Sequence, residues 1–383
     1  MLTLALKMLV GNKSSFLGVI FGIFLATLLI SQQSAIFLGL VSRSYRMVTD
    51  ISAPNVWVMD PATESNDKLR NMSLKNLSLV RSVAGVEWAV PIGISILPIV
   101  SEEGVFEMGE VYGIDDSTLI GAPVIMLEGS IEDLRRPGGI IVDTQSANGV
   151  LAKKLPDGRT IPVKIGDTLE INRQRAVIVG ICSITPGFFP QPVIFTTFSQ
   201  YKAYTGLGEN ALGYIAVKTA PGAKVSEVVR GIDNIQNITA LTREQLKNKI
   251  RDFFLKTGIL INFGLSVALG IIIGFSIAGQ IFHNFTVENL KYYALIKSLG
   301  GKRNTLLSMI LLQAFFAGAI GFILGTSATM LWGMTIKNTT LAFLFPWQLL
   351  LFTGGIILVI CLSSALLSIH RVLSADPKVL LGN

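Results

Sequence analysis

Histidine and cysteine are almost missing from this sequence, with two of each among 383 residues. The cysteines, Cys182 in a polar region and Cys361 in an apolar one, form no close-spaced pair of the kind that binds a metal or staples a small fold. They read as small apolar residues. The histidines, His283 and His370, stand at the inner ends of apolar runs, where an interfacial position accounts for them. Neither H-E-x-x-H nor G-x-S-x-G occurs. A phosphate loop is also lacking. Its nearest match, Gly300–Asn304, has Ile296 where the first glycine belongs and Arg303 where Ser or Thr belongs. Gly206–Gly213 does not keep dinucleotide-binding spacing. Glu102–Glu103 and Asp115–Asp116 are adjacent carboxylates, but neighbours on a strand point to opposite faces, so each pair reads as a solvated turn or edge. The chain is therefore expected not to be an enzyme, and to hold no catalytic residue, metal or cofactor of its own.

Charge is scarce too. Charged residues make up 15% of the chain and hydrophobic ones 50%, with a mean hydropathy of +0.58. That is too apolar for an ordinary soluble domain and too polar for an all-membrane chain. Phe16–Leu40, Gly258–Phe282, Leu306–Ile336 and Trp347–Ile369 are each long enough for a hydrocarbon core of roughly 30 Å. Backbone groups in lipid must be satisfied within the segment, so each run is read as a helix. The first is too long for a signal h-region and is read as retained. Apart from Lys337 at a predicted end, these runs lack ionisable residues, which disfavours an ion-coupled carrier.

The expected fold is an α-helical membrane protein with four transmembrane helices and a large extracytoplasmic α+β domain between the first and second. Its segments are an interfacial helix at 1–14, transmembrane helix 1 at 15–42, the outer domain at 44–256, transmembrane helix 2 at 257–283, an inner loop at 284–304, transmembrane helices 3 and 4 at 305–336 and 347–370, and a tail at 371–383. The net charge of +7 decides the orientation. With both termini in the cytoplasm, Lys7, Lys13, Lys291, Lys297, Lys302, Arg303, Arg371 and Lys378 lie inside against Glu288 and Asp376, carrying nearly all of the excess. Arg43, Arg46, Lys256 and Lys337 are the contrary charges. A pI near 9.4 is then topological, and nucleic-acid binding is not implied.

Alternating apolar patterns in NVWVMD, FEMGEVYGI and KIGDTLEINRQRAVIVGI predict strands and hairpins. LKNLSLVRSVAGV predicts a helix ending near Gly85, and FTTFSQYKAYTGLG a strand and helix closing at Gly206. KVSEVVRGIDNI predicts a helix between the strands YIAVKT and ITALT. Two subdomains are expected, 50–110 with 190–245, and 111–190. Thr242–Lys256 reads as a helix running straight into transmembrane helix 2, joining domain to membrane. Within the spans, Gly18, Gly22 and Ala26, then Gly270, Gly274 and Ala278, and then Ala317, Gly321 and Gly325 recur four residues apart. That spacing suits close helix contact, within one chain or between copies.

Between the second and third runs lies ENLKYYALIKSLGGKRN, Glu288–Asn304. On a helix, Val287, Leu290, Ala294 and Ile296 form a partly apolar side, and Glu288, Lys291 and Lys297 a charged one. A basic anchoring loop is the plain reading. The sharper one is a docking helix whose apolar side enters a cleft in a cytoplasmic partner.

This stretch resembles the loop after the second span in ABC transporter permeases of the MacB/FtsX superfamily, and KYYALIKSLGG is most similar to the DevC-like branch. The superfamily's Glu-Ile-Gly is replaced here by Tyr292, Tyr293 and Ala294. ALKMLVGNKSSFLGVIFGI resembles the family's opening helix and first span, and LVRSVAGVEWAVPI, VYGID, KIGDTLEI and VIVGI resemble markers of the MacB-like periplasmic core. SADPKVLL resembles its terminal Asp-Pro motif. The resemblance implies a permease half in the bacterial inner membrane that forms a homodimer and binds two copies of a separate ATPase subunit, which holds ATP and Mg. It implies coupling through Glu288, Leu290, Lys291, Tyr293, Ala294, Ile296, Lys297, Leu299 and Gly300, with closure of the ATPase passed outward by mechanotransmission. Relatives work with a periplasmic adaptor and an outer-membrane channel to export or extract lipid-like, peptide or drug-like molecules. A regulator of an extracytoplasmic cell-wall hydrolase is the alternative.

Overall fold

The strand Val86–Ser101 is sixteen residues long, and it organises the domain between the first and second apolar helices. The computed structural model describes residues 8, 11, 13–154, 160–189, 191–256, 258–300, 302–336 and 341–374. The expected interfacial helix at 1–14 and the tail lie largely outside them, as do Thr257, Gly301 and Lys337. By its contacts the chain divides into two units, 41–256 and 1–40 with 257–383.

In the first of these, the strands are β1 (Val56–Met59), β2 (Val86–Ser101), β3 (Phe106–Ile114), β4 (Ile125–Gly129), β5 (Gly139–Asp143), β6 (Lys153–Lys154), β7 (Thr160–Ile161), β8 (Thr168–Ile171), β9 (Gln174–Ser183), β10 (Val193–Thr197), β11 (Tyr214–Thr219) and β12 (Thr239–Thr242). They form a mixed sheet in the order β12-β1-β11-β2-β3-β10-β5-β9-β4, with β8 against β2 and β9, beside a separate β6–β7 pair. The front half of β2 pairs with β11, from Val86 to Ile92. The back half, Gly93–Val100, pairs with β3. Helices Lys75–Arg81 and Val225–Asp233 belong to the first half, and Phe198–Thr205 and Thr144–Asn148 to the second.

The lobes therefore divide differently from the expected pieces, 50–110 with 190–245 and 111–190. β2 runs through both, and β3 and β10 both belong with the middle of the chain. One buried apolar cluster joins Val56 and Val217 to Ile140 and Ile178, so neither lobe has a core of its own. The β8–β9 hairpin turns on Asn172 and Arg173, both at positive φ (46° and 65°), as a tight two-residue turn requires. Gly93 and Gly113 face each other across β2 and β3 under the ring of Tyr201, which leaves no room for a side chain at either. Tyr201 Oη is 2.7 Å from Ser95 Oγ.

The short helix Arg46–Asp50 begins just after the first apolar helix ends at Ser44. Its final carbonyls are capped by Arg243, which donates from Nε to Val48 O and from Nη2 to Thr49 O, each at 3.0 Å. Arg243 opens the helix Arg243–Lys256; the next helix begins at Gly258, and the junction expected to be continuous falls on Thr257.

The second unit contains four helices long and apolar enough to cross a membrane among the described residues: Lys13–Ser44, Gly258–Glu288, Arg303–Thr335 and Trp347–Ser374. The glycines pack inside the chain. A methyl built on Gly22 would lie 2.7 Å from Ile277, and one on Gly274 2.6 Å from Ala26 Cβ, so the first and second helices meet at both. Gly321 and Gly325 bring the third helix equally close to Ile23 and Thr27 of the first (2.7 and 2.6 Å). Gly270 faces Ile30 at 3.4 Å, and Gly18 reaches only Ile281, at 4.0 Å. Ser31 Oγ and Thr329 Oγ1 share a buried hydrogen bond of 2.6 Å between the first and third helices. Gly39 lets the segment before the fourth helix approach, and Leu344 N–H donates to Ala35 O at 3.0 Å.

Candidate coupling site

The second apolar helix does not stop at Phe282 but continues to Glu288. Nothing in His283–Val287 breaks it, and Thr286 Oγ1 returns a 2.8 Å hydrogen bond to Phe282 O. The first part of the expected inner loop is thus helical. Asn289 marks the change of direction. It donates from its backbone N–H (3.1 Å) and from Nδ2 (2.8 Å) to Phe285 O, while its own carbonyl accepts from the amides of Tyr292 and Tyr293. The helix Leu290–Ser298 follows. Gly300, at φ +88°, closes it by donating to Lys297 O at 3.1 Å. Nothing crowds that glycine, so backbone conformation rather than space selects it. Lys302 caps the third apolar helix with Arg303 as its first residue. Two cations at a helix N-terminus gain nothing from the helix dipole, so their placement needs another reason.

The helix has two distinct faces. Tyr293, Ala294 and Ile296 are buried, and Leu290 is half-buried beside them. Tyr293 is 1% exposed and donates from Oη to Oε1 of Gln313, itself buried in the third apolar helix, at 2.9 Å. Tyr293 and Ile296 share an apolar cluster with Phe282, Leu306, Met309 and Ile310. Fully burying an apolar side chain of this size stabilises by roughly 1.5–3 kcal/mol, enough to hold a short helix in place. On the other face, Tyr292 (58%), Leu295 (48%) and Leu299 (80%) are exposed in a line, with Lys291 and Glu288 beside them. Lys297 is half-buried.

The apolar side expected to enter a partner is largely covered within the chain, with Val287 exposed and Leu290 half-buried. Ala294 and Ile296, with Tyr293, anchor the helix within its own unit. Of the expected coupling residues, Glu288, Lys291, Leu299 and Gly300 are exposed. Tyr292 and Leu295, outside the expected set, are exposed as well, and the 292, 295, 299 spacing places all three on one helical face.

The domain between the first and second apolar helices carries a second concentration of chemistry. Arg46 is buried and donates from Nη2 to Glu110 Oε2 at 2.6 Å and from Nη1 to Thr185 O at 3.0 Å. Tyr112 Oη donates to the same Glu110 oxygen at 2.7 Å. Burial works against the Arg46 charge, but Tyr112 and Glu110 outweigh it and hold the guanidinium protonated. Burial and Glu110 together keep the Tyr112 phenol neutral, well above the ordinary range. Among the described residues, no group of three or more His, Cys, Asp or Glu side chains is placed to hold a metal ion.

Comparison with known proteins bears on both regions. Residues 15–235 match the model of the MacB-like periplasmic core domain, and residues 264–377 that of the FtsX-like permease C-terminal domain. No curated protein matches the sequence. Among solved structures, the periplasmic region of MacB from Actinobacillus actinomycetemcomitans is similar at 12% identity and a TM-score of 0.40, over 54% of this chain and 96% of that one. The extracellular domain of the noncanonic ABC-type transporter YknZ from Gram-positive bacteria is similar at 14% identity and a TM-score of 0.35, over 49% of this chain and 99% of that one. A domain of a putative permease protein from Porphyromonas gingivalis gives 13% identity and a TM-score of 0.32, over 49% and 87%.

Proposed function

The chain belongs to the family of FtsX-like permeases with a MacB-like periplasmic core domain, and from that premise we propose that it couples a separate ATPase to movement of its outer domain. Permeases of this family work with an ATPase subunit in ABC transporters. ATP and Mg are bound by that subunit, in two copies against a homodimer of this chain. The membrane is the bacterial inner membrane, with both termini in the cytoplasm, as the distribution of lysine and arginine suggests. The work done is export or extraction of a lipid-like, peptide or drug-like molecule.

One observation carries this reading: the helix Leu290–Ser298 is anchored on one face and apolar on the other. Tyr292, Leu295 and Leu299 form the stripe that a partner's cleft would take. Tyr293 and Ile296 fix the helix to the membrane helices, so a push on the stripe moves them rather than a loose loop. Lys291, with Lys302 and Arg303 nearby in sequence, supplies the cationic rim for an acidic cleft.

The test is co-purification and ATP turnover. Leu295→Asp and Leu299→Asp, each placing a carboxylate in the stripe, are expected to weaken ATPase binding by roughly 30-fold and to abolish stimulated turnover. Because both leucines are exposed, thermal stability is expected to stay that of the unmodified chain. Full assembly and full turnover in both variants would overturn the proposal.

A further inference from the structure

Beside the Arg46–Glu110 pair, the domain between the first and second apolar helices has a half-open cavity of about 360 Å³. That is within the usual range for small-molecule sites. The helix Arg46–Asp50, the loop Gly121–Ile125, the segment Ser183–Pro186 and strands β3 and β10 build it. Most of its wall is apolar, with Met47, Ile51, Pro123, Ile184 and Phe195 contributing. Val124 and Ile125, 75% and 56% exposed, extend that surface outward, an unusual display for a domain face with nothing on it.

Two charged side chains line the cavity, Arg46 and Asp50. Arg46 is already committed to Glu110 and to Thr185 O. Asp50 is not balanced in the same way. It lies one helical turn from Arg46 and accepts from Thr185 Oγ1 at 3.1 Å. Burial pushes its carboxyl above the ordinary range, and neither that hydrogen bond nor the Arg46 charge fully offsets the loss of water. A carboxylate held at the edge of an apolar cavity is a receptor for a cation that arrives with its own apolar body. The chain portion fills the wall, and the cation meets a charge that water no longer screens well.

We propose that this cavity binds an amphiphile whose apolar body occupies the wall and whose protonated amine pairs with Asp50. The amine donates hydrogen bonds to the Asp50 carboxylate, which Thr185 Oγ1 holds in place through Oδ1. Arg46, fixed by Glu110, repels a second cation and limits the site to one amine. Anionic and neutral amphiphiles of equal length lack the pairing and bind less well. Binding here asks nothing of the coupling helix, so this reading and the ATPase reading fail separately.

The experiment uses the full chain in nanodiscs of zwitterionic lipid. It employs dodecylamine bearing a diazirine near the chain end, with the matching dodecanol and dodecanoate. After photolysis, the amine probe is expected to label peptides carrying 47–51, 121–125 or 183–186, with about tenfold less labelling by the other two, a difference equal to one well-formed charge pair. Asp50→Asn removes the advantage of the amine and Asp50→Glu retains it. Ala122→Trp, which fills the cavity, lowers labelling by all three probes. If Asp50→Asn folds poorly, competition on the unmodified chain decides: unlabelled dodecylammonium displaces the probe and dodecanol does not. Equal labelling by the three probes, labelling confined to the apolar helices, or equal competition by the alcohol would each overturn the proposal.

Discussion

Tyr293 Oη donates to Gln313 Oε1 at 2.9 Å, and both side chains are buried. This bond ties the helix Leu290–Ser298 to the third apolar helix, ten residues past that helix's start at Arg303. It packs the short helix firmly against its own unit, and Tyr293 is the residue to test that contact.

Tyr293→Phe removes the phenol and leaves Gln313 Oε1 buried without it. The loss of one hydrogen bond between buried groups costs about 0.5–1.5 kcal/mol. The melting temperature of the purified chain is expected to fall, while ATPase still co-purifies and turnover becomes less tightly coupled. Leu299→Asp has the opposite pattern, with an unchanged melt and a lost partner. If Tyr293→Phe released the ATPase without altering the melt, the assignment of the two faces would be reversed.

Gly274→Leu tests where the small residues act. The first and second apolar helices touch at this glycine, with Ala26 Cβ 2.6 Å from any added methyl. Forcing extra volume into such a seam costs about 1–3 kcal/mol. The expected result is a lower melt in detergent with self-association, measured by crosslinking, unchanged at equal folded fraction. Gly18→Ala meets only Ile281 at 4.0 Å and is expected to be silent. Lost self-association with an unaltered melt in Gly274→Leu would place the glycine between copies instead.

Much of the architecture was legible before any coordinates. Long apolar runs without charge announce helices because lipid allows few alternatives, and FTTFSQYKAYTGLG showed its strand, helix and stop at Gly206, which takes φ +64°. The division of the outer domain was not legible, because periodicity reports that a segment is a strand but not that Val86–Ser101 serves both lobes. Which face of Leu290–Ser298 the chain itself covers was not legible for a related reason. Val287, Leu290, Ala294 and Ile296 do make an apolar side, but apolar residues occur on both faces of Leu290–Ser298. Only the positions of Phe282 and Met309 decide which one is covered. Arg46 was counted among charges against the inside-positive pattern. A guanidinium consumed by Glu110 within the fold carries no such meaning.

Arg46→Met is expected to be among the costliest single changes in the outer domain. It takes the charged donor from Glu110, which keeps only Tyr112 Oη, and from Thr185 O, a loss of about 3–5 kcal/mol. Arg46→Met combined with Glu110→Met removes both charges and is expected to recover most of that. Amide exchange in β3 and β10, which pair through Glu110 and Val193, reads the effect locally. A double variant no better than Arg46→Met would mean that Tyr112, not the ion pair, holds the site.

Asp115 gives the domain a defined acid response. Burial pushes its carboxyl up, but hydrogen bonds from Ser117 Oγ (2.7 Å), the Thr118 amide (2.8 Å) and Thr118 Oγ1 (2.8 Å) prevail and leave it below the ordinary value of 3.8. A carboxyl depressed by folding stabilises while it is ionised, so its contribution is present above the unfolded value and disappears as pH falls through the folded one. The same residue's carbonyl accepts from Leu119, which sits at φ +54°, a strained conformation for a leucine. Asp115→Asn is therefore expected to speed amide exchange at 118–122 most at neutral pH. The gap from the unmodified chain should narrow as pH falls below about 4 and close only below the depressed folded value, where both carry a neutral side chain. A gap that did not change with pH would show that shape alone, not charge, holds this loop beside the cavity it lines.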